Sequence, residues 1–368
     1  GLTADDFKDP APGSRGKARL DKNSAFKKCI PLVGGFTDLR DEYMQMYKER
    51  ITSSETEKEK EIAAQKLDMW YNKPSHYKIL NLKLEKDIRL DIVNSKKLIE
   101  LVEDIKPDFI FHLAAQPLVG YSFKNPLETF KVNSLGSANI LESLRLLDKK
   151  CIAIFITSDK SYDNIEIKRG YHENDRLGGA DPYSGSKGAA ELFISSYIRS
   201  FFPKGGNIKI GIGRAGNVIG GGDWAIGRIL PDVIKSISLN KSLSVRSPNS
   251  TRPWQHVLEP ISGYLSLAIE LYRSDQNHGE AFNFGPLSDK DYTVEQVLIE
   301  LKKNLLNLKW EFIKESGFKE SKLLKLNCNK AYEMIDWKST MDFHQTIKFT
   351  SEWYLKYLNN DKKLKEFS

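Results

Sequence analysis

Apolar residues along most of this chain fall into two alternating kinds of run. The short unbroken runs in "DFIFHLAA", "CIAIFITSD" and "IKIGIGRAG" read as buried strands, because a strand covered on both faces needs no polar alternation. Between and after them, "LETFKVNSLGSANILESLRLL" and "YSGSKGAAELFISSYIRSFF" repeat their apolar residues at helical spacing. Such alternation predicts an α/β fold with a doubly wound parallel sheet, and ligands bound at the carboxyl ends of the strands. From residue 217 glycine, proline and tryptophan make the pattern loopier, ahead of helical stretches near 293–307 and 343–359. The expected organisation is a sheet domain over 74–216 and a smaller substrate lobe over 217–368, some of whose chain returns to the sheet.

The segment 1–73 breaks this pattern. Residues 1–36 are rich in Gly, Pro and Lys without a sustained period and read as loop. Over 37–71, Leu39, Tyr43, Met46 and Tyr47 make one helical stripe, and Ile62, Ala63, Leu67 and Trp70 another. Two charged helices broken near "TSS" are therefore expected. In "CIPLVGGFTDLRDEY", Gly34 and Gly35 follow a short apolar run, but adjacent glycines lack the spacing of a loop that cradles phosphate.

Composition narrows the class. At 40% hydrophobic and 29% charged residues the chain is of the soluble globular kind. It contains nothing near the roughly 18 apolar residues of a membrane span, and its first residues have no apolar core of a secretory signal. Cys29, Cys151 and Cys328 are widely spaced and unpaired in pattern, which suits reduced thiols in the cytoplasm. The net charge of +7 comes from lysines spread along the chain without aromatic partners, which argues against nucleic acid and leaves room for an anionic small molecule. Six histidines show no zinc spacing, so no metal is expected.

The candidate chemistry centres on "DPYSGSKGAAELF". Tyr183 and Lys187 stand four apart on a helix and share a face. An ammonium there, with a cationic nicotinamide, would favour the phenolate and let Tyr183 act as a general base near neutral pH. "FITSDKSYDN" places Thr157, Ser158, Asp159 and Lys160 just past a strand, with Ser158 25 residues ahead of Tyr183. A hydroxyl there can orient a reacting sugar oxygen toward the phenolate. Arg228 and Arg252 are candidate diphosphate clamps, since guanidinium pairs well with phosphate oxygens. Asn217 sits in the glycine loop "GRAGNVIGGGDW".

In "FHLAAQPLVGYSFKNPLETFKVNSLGS", "ITSDKSYDN", "YHENDRLGGADPYSGSKGAAEL", "GRAGNVIGGGDWAIGRILPD", "RPWQHVLEPISGYLSLA" and "FNFGP", the chain resembles the extended short-chain dehydrogenase/reductase superfamily. Within it, the chain is similar to the CDP-glucose 4,6-dehydratase family. That resemblance implies a Rossmann-like fold and NAD as cofactor. It also implies a sugar-nucleotide substrate, CDP-glucose foremost, and a cytoplasmic homodimer or homotetramer paired through two long helices. Tyr183 would be the base for oxidation at C4, with Lys187 its partner and the holder of the nicotinamide ribose. Ser158 would fill the superfamily's hydroxyl position, and Asp159 would protonate the leaving C6 hydroxyl. Lys160 stands where dTDP-sugar dehydratases carry a glutamate. The hydride returns to C6, and the product is a 4-keto-6-deoxy sugar nucleotide for polysaccharide biosynthesis. Asp87 and Ile88 of "EKDIRLDI" would lie at the adenine. Ala114, Ala115 and Gln116 of "HLAAQ" would lie against the cofactor, with Asn133 nearby. His112 reads as strand-end packing. The family's first strand, phosphate loop, first helix and second strand have no counterpart in this reading of 1–73. A sugar-nucleotide epimerase and a non-catalytic binder of the same fold remain the alternatives; the first would share Tyr183 and Lys187 without needing Asp159 and Lys160.

Overall fold

A computed structural model describes residues 29–32, 86, 88–225, 227–286, 290–313 and 323–359. In chain order the elements are β1 (Cys29–Leu32), α1 (Ser95–Ile105), β2 (Phe109–His112), α2 (Val119–Lys124) and α3 (Pro126–Phe130). A π-helical turn (Lys131–Leu135) leads into α4 (Gly136–Leu146), then β3 (Cys151–Ile156), α5 (Pro182–Phe201), β4 (Ile208–Ala215) and β5 (Val218–Ile219). There follow α6 (Ile229–Ser238), β6 (Leu243–Val245), β7 (Thr251–Arg252), β8 (Gln255–His256), α7 (Leu258–Arg273), β9 (Ala281–Phe284) and β10 (Tyr292–Thr293). The chain closes with α8 (Val294–Lys302), β11 (Trp310–Phe312), α9 (Asn329–Ile335) and α10 (Phe343–Leu358).

The main sheet is parallel, ordered β1-β2-β3-β4-β9. Because successive side chains on a strand face opposite ways, its unbroken apolar runs serve two cores. Ile110, Ala153, Phe155, Ile210 and Ile212 meet Leu98 and Val102 of α1, Ile140, Leu141 and Leu144 of α4, and Ile194 of α5. On the other face, Phe109, Phe111, Ile152 and Ile154 meet Tyr264, Leu267 and Leu271 of α7, with Ala331 and Ile335 of α9. This is the doubly wound arrangement that the strand–helix alternation predicts. A third core joins α6, β6, α8 and α10 through Leu230, Val233, Val245, Leu298, Ile347 and Tyr354, forming the second lobe. Chain beyond residue 217 joins the sheet as β9.

Two differences from the sequence expectations have local causes. Residues 29–32 form a parallel strand beside β2, with Ile30 opposite Ile110, where the pattern suggested loop. Four residues including a proline are too few to carry a period, and only the neighbouring strand reveals them. The expected helices over 37–71, the pair Gly34–Gly35 and Asp87 lie outside the described residues. The second lobe is also less loopy than expected, since α7 is a 16-residue helix laid on the sheet. No helix of the described residues is long and apolar enough to cross a membrane.

Candidate active site

The site is assembled where β3 ends and α5 begins. Past Ile156 the chain makes a single 3₁₀ turn over Asp159–Ser161. The Ser158 hydroxyl caps it by accepting from the Lys160 amide at 3.1 Å, and the Ser161 hydroxyl donates to the Ser158 carbonyl at 2.6 Å. Helix α5 starts on Pro182, with Asp181 as N-cap accepting from the Ser184 amide at 3.0 Å. A proline at the first position and an aspartate cap fix where a helix begins. They therefore set Tyr183 and Lys187 in its first two turns. The Lys187 ammonium reaches back to the Ile156 carbonyl at 3.4 Å.

A buried polar network holds this turn against the helix. One turn beyond Lys187, Glu191 accepts from the Thr157 hydroxyl at 2.6 Å, the Ser161 hydroxyl at 3.1 Å and Arg214 Nε at 2.8 Å. Arg214, on β4, also donates to the Tyr162 phenol at 2.7 Å and lies 4.8 Å over its ring. Tyr162 in turn donates to Asn283 Oδ1 on β9 at 2.7 Å. Removing one partner of a buried pair of this kind leaves an uncompensated charge, so the reactive turn is pinned to β4, β9 and α5 together.

A cavity of about 440 Å³ opens at the carboxyl ends of the strands, between sheet and second lobe. Ser158, Asp159, Lys160, Tyr183, Asn217, Arg228 and Arg252 all line it. These seven residues, drawn from separate stretches of sequence, therefore share one space. Gly216 makes the closest approach: a Cβ there would sit 2.3 Å from Asp159 Oδ2, so only glycine fits against this carboxylate.

The model of the GDP-mannose 4,6-dehydratase family matches residues 45–350 of the chain. The chain belongs to that family. A CDP-glucose 4,6-dehydratase of Salmonella typhimurium is 39% identical over 296 residues, 78% of this chain and 82% of the relative. A dTDP-D-glucose 4,6-dehydratase of Homo sapiens is 25% identical over 301 residues, 78% of this chain and 80% of the relative. Among solved structures, UDP-glucuronic acid 4-epimerase from Bacillus cereus superposes with a TM-score of 0.65 at 22% identity, covering 77% of this chain and 85% of that one. The Bacillus anthracis dTDP-glucose 4,6-dehydratase gives 0.60 at 19%, covering 76% and 82%. These superpositions carry the Rossmann-type fold. The family match begins inside the segment 1–73 that the sequence pattern sets apart.

In this dehydratase-family site burial governs the titrating groups. Asp159 is buried, with Oδ1 accepting from the Ser158 hydroxyl at 3.0 Å and Oδ2 without a hydrogen-bond partner among the described residues. Desolvation pushes its carboxyl above the usual range, against the pull of Lys160 and Arg252. Burial also holds Lys187 down at about 8 and the His112 imidazole at about 3. For Tyr183 the expectation of an acidified phenol is not met in the chain by itself. Desolvation raises it, and the opposing pull comes from the Ser158 hydrogen bond and Arg228.

Other predicted residues stand behind the cavity. Ala114 and Ala115 are buried just past β2, and Ile88 is 46% exposed ahead of α1. Asn133, within the π-helical turn, accepts from the Gln116 amide at 2.7 Å and donates to the Gln116 carbonyl at 3.1 Å and to Ser186 Oγ at 2.8 Å. It thus ties the loop after β2 to α5. The Gln116 side chain does not reach the cavity: it donates to Thr129 Oγ1 at 2.8 Å and accepts from the Leu118 amide, shaping its own loop. His112 packs at the strand end as expected, its Nε2 3.0 Å from Ser137 Oγ. The sequence pattern missed Glu191 and Arg214, though Glu191 four residues past Lys187 was a usable signal. It also missed Asp223, Asp232 and Arg246 on the cavity wall, which no motif marks.

Proposed function

We propose that this chain is a hydro-lyase converting CDP-glucose to CDP-4-keto-6-deoxyglucose with NAD as a recycled cofactor. The observation that carries this reading is Asp159: a buried carboxyl with one unpartnered oxygen, held toward its protonated form, in the same cavity as Tyr183 and Ser158. An epimerase has no use for a poised acid beside its base; a dehydratase must protonate a departing hydroxyl.

The nicotinamide end of NAD fits the residues present. Lys187 carries three donors but among the described residues makes a single long hydrogen bond, to the Ile156 carbonyl, so its ammonium can take the acceptors that a ribose diol would supply. The small side chains of Ala114 and Ala115 allow close approach, and Asn133 holds their loop in place. When bound, NAD would supply the two-electron acceptor for oxidation at C4 and the donor for reduction at C6. Tyr183 takes the C4 hydroxyl proton, and the Ser158 hydroxyl aligns that oxygen with the phenol. A ketone at C4 makes the C5 proton acidic; that proton passes to solvent on elimination, and one returns from solvent to C5 in the product. Asp159 gives its proton to the C6 oxygen as the C–O bond breaks, and water leaves. Lys160 faces the same end of the cavity and moderates the Asp159 charge. Arg228 and Arg252 hold the diphosphate, and Asn217 borders the sugar.

The direct test is incubation with CDP-glucose and NAD⁺, followed by the alkali-induced absorbance of a 4-keto sugar; inversion without water loss would replace this reading with an epimerase. Asp159→Asn should lower product formation about 10²- to 10³-fold while the C5 hydrogen still exchanges with D₂O. Loss of both together would assign Asp159 to an earlier step.

We place the enzyme in the cytoplasm, in keeping with its free Cys151 and Cys328, and as a homodimer. Leu127 of α3, and Leu192, Phe193 and Phe201 of α5, are exposed on helices that pack side by side, Leu192 by 64%. A second copy of the same face buries such a patch by twofold symmetry. Sedimentation velocity should show Leu192→Asp shifted toward monomer at micromolar concentration; an unchanged dimer would move the interface elsewhere.

A further inference from the structure

Tyr264, in the second turn of α7, brings to the cavity a buried hydroxyl that the mechanism above leaves unused. Its ring is held on two sides. It meets Phe284 of β9 edge to face with centroids 5.4 Å apart, and a Cβ on Gly213 of β4 would stand 2.8 Å from Tyr264 Cε1. Gly213 pairs with Ile156, and its carbonyl accepts from the Thr157 amide at 2.8 Å. The ring is thereby fixed against the strand residues that lead directly into Ser158 and Asp159. The charges that act on its phenol are those of Asp159 and, after it, Tyr183, so the hydroxyl lies on the side of the reacting groups. A buried phenol ordinarily finds a hydrogen-bond partner. Tyr162, Tyr171 and Tyr354 do so, donating to Asn283, to Asn164 and to the Asp223 carbonyl. The Tyr264 hydroxyl makes no hydrogen bond among the described residues, and the cavity is the space left to it. Desolvation raises this phenol, so it stays protonated and serves as a donor, never as a second base.

We propose that Tyr264 is a further catalytic residue of the dehydration, its hydroxyl donating a hydrogen bond to the C6 oxygen of the hexose as that oxygen departs. This rests on the reading of the cavity as a dehydratase site and deepens it. The C4 oxygen already has Tyr183 and Ser158 as partners, whereas the C6 oxygen has Asp159 alone. Of the two charges beside Tyr264, Asp159 acts the more strongly, which sets the phenol at the acid's end of the sugar. In the step itself the C6 oxygen takes the bonding pair of the breaking C–O bond and the Asp159 proton, and leaves as water. The C5 proton goes to solvent, and the phenol keeps its own proton throughout. Its contribution is a fixed dipole aimed at the oxygen on which negative charge develops while transfer from Asp159 is incomplete. Because Gly213 and Phe284 already hold the ring, the donor needs no reorientation at that moment.

Tyr264→Phe tests this, because it removes one oxygen and leaves the ring in its slot. Steady-state kinetics with CDP-glucose and NAD⁺ should show kcat lowered about ten- to hundredfold, the worth of one hydrogen bond to a charge-bearing oxygen. Calorimetric affinity for CDP-glucose should stay within about threefold of wild type, since the bond matters only as the C6 oxygen departs. In single turnovers the absorbance of the reduced nicotinamide should rise as fast as in wild type and decay about ten- to hundredfold more slowly. Oxidation at C4 is untouched; elimination is not. The thermal midpoint should match or exceed that of wild type, as no hydrogen bond within the described chain is lost. An unchanged kcat would leave Tyr264 idle, a slower rise of the reduced cofactor would move it to oxidation at C4, and a lowered thermal midpoint with affinity lost would confine it to packing. Each of these overturns the proposal while the wild type still dehydrates CDP-glucose. Failure of the dehydratase reading shows differently, as a wild type that forms no 4-keto product or inverts its substrate without losing water, and it takes the role of Tyr264 with it.

Discussion

Tyr183→Phe should abolish turnover of CDP-glucose, by at least about 10³-fold in kcat, while sugar-nucleotide affinity stays within a few-fold of wild type. The substitution removes one oxygen and leaves the ring in its buried place in the first turn of α5, so the cavity keeps its shape. What is lost is the proposed acceptor of the C4 proton, which also shares a hydrogen bond with Ser158. Burial raises this phenol, so its ionisation must be driven by positive charge brought to it: Arg228 already acts in that direction, and a cationic nicotinamide adds to it. Steady-state kinetics with calorimetric binding of the sugar nucleotide checks both halves. Turnover above a tenth of wild type would remove Tyr183 from the role of base.

Lys187→Met should cost turnover on the order of 10²- to 10⁴-fold and yet make the folded chain more stable at pH 7. Burial lowers this ammonium from 10.5 to about 8. Between those values the unfolded chain holds the proton and the folded chain does not, so stability rises with pH through that window. Below about pH 8 both states are protonated, and the folded state carries the whole cost of a buried charge, ~3 kcal/mol by the size of the shift. Methionine fills a similar volume without the charge. Its urea midpoint at pH 7 should exceed that of wild type, and the rise in wild-type stability from pH 8 to 10 relative to the variant should be the signature of Lys187. A variant less stable than wild type at pH 7 would show that the Glu191 side of the ammonium outweighs its desolvation. Such a trade of stability for function is expected where a charge is kept in the interior for chemistry.

Most of the candidate set that the cavity brings together was legible because its signals are local. A proline and an aspartate cap start α5, helical spacing brings Tyr183 and Lys187 to one face, and a polar cluster directly follows a buried strand. The same locality made β2, β3, β4 and their helices readable. The π-helical turn around Asn133 and the strand at 29–32 were not, since each is defined by what it touches: Gln116 and Ser186 in one case, β2 in the other. Gln116 shows the opposite error, a residue inside a well-matched motif whose side chain turns into its own loop.

The sequence alone determined the fold class and the run of β2, β3 and β4 with their helices, and it marked the candidate acid, base and hydroxyl, because each depends on neighbours within one turn or one strand. Only the tertiary structure decided how those groups titrate and what shares their space. Desolvation of Asp159, Tyr183 and Lys187 and the anchoring of their turn by Glu191 and Arg214 all arise from chain segments distant in sequence, and burial exists only once those segments have closed over one another.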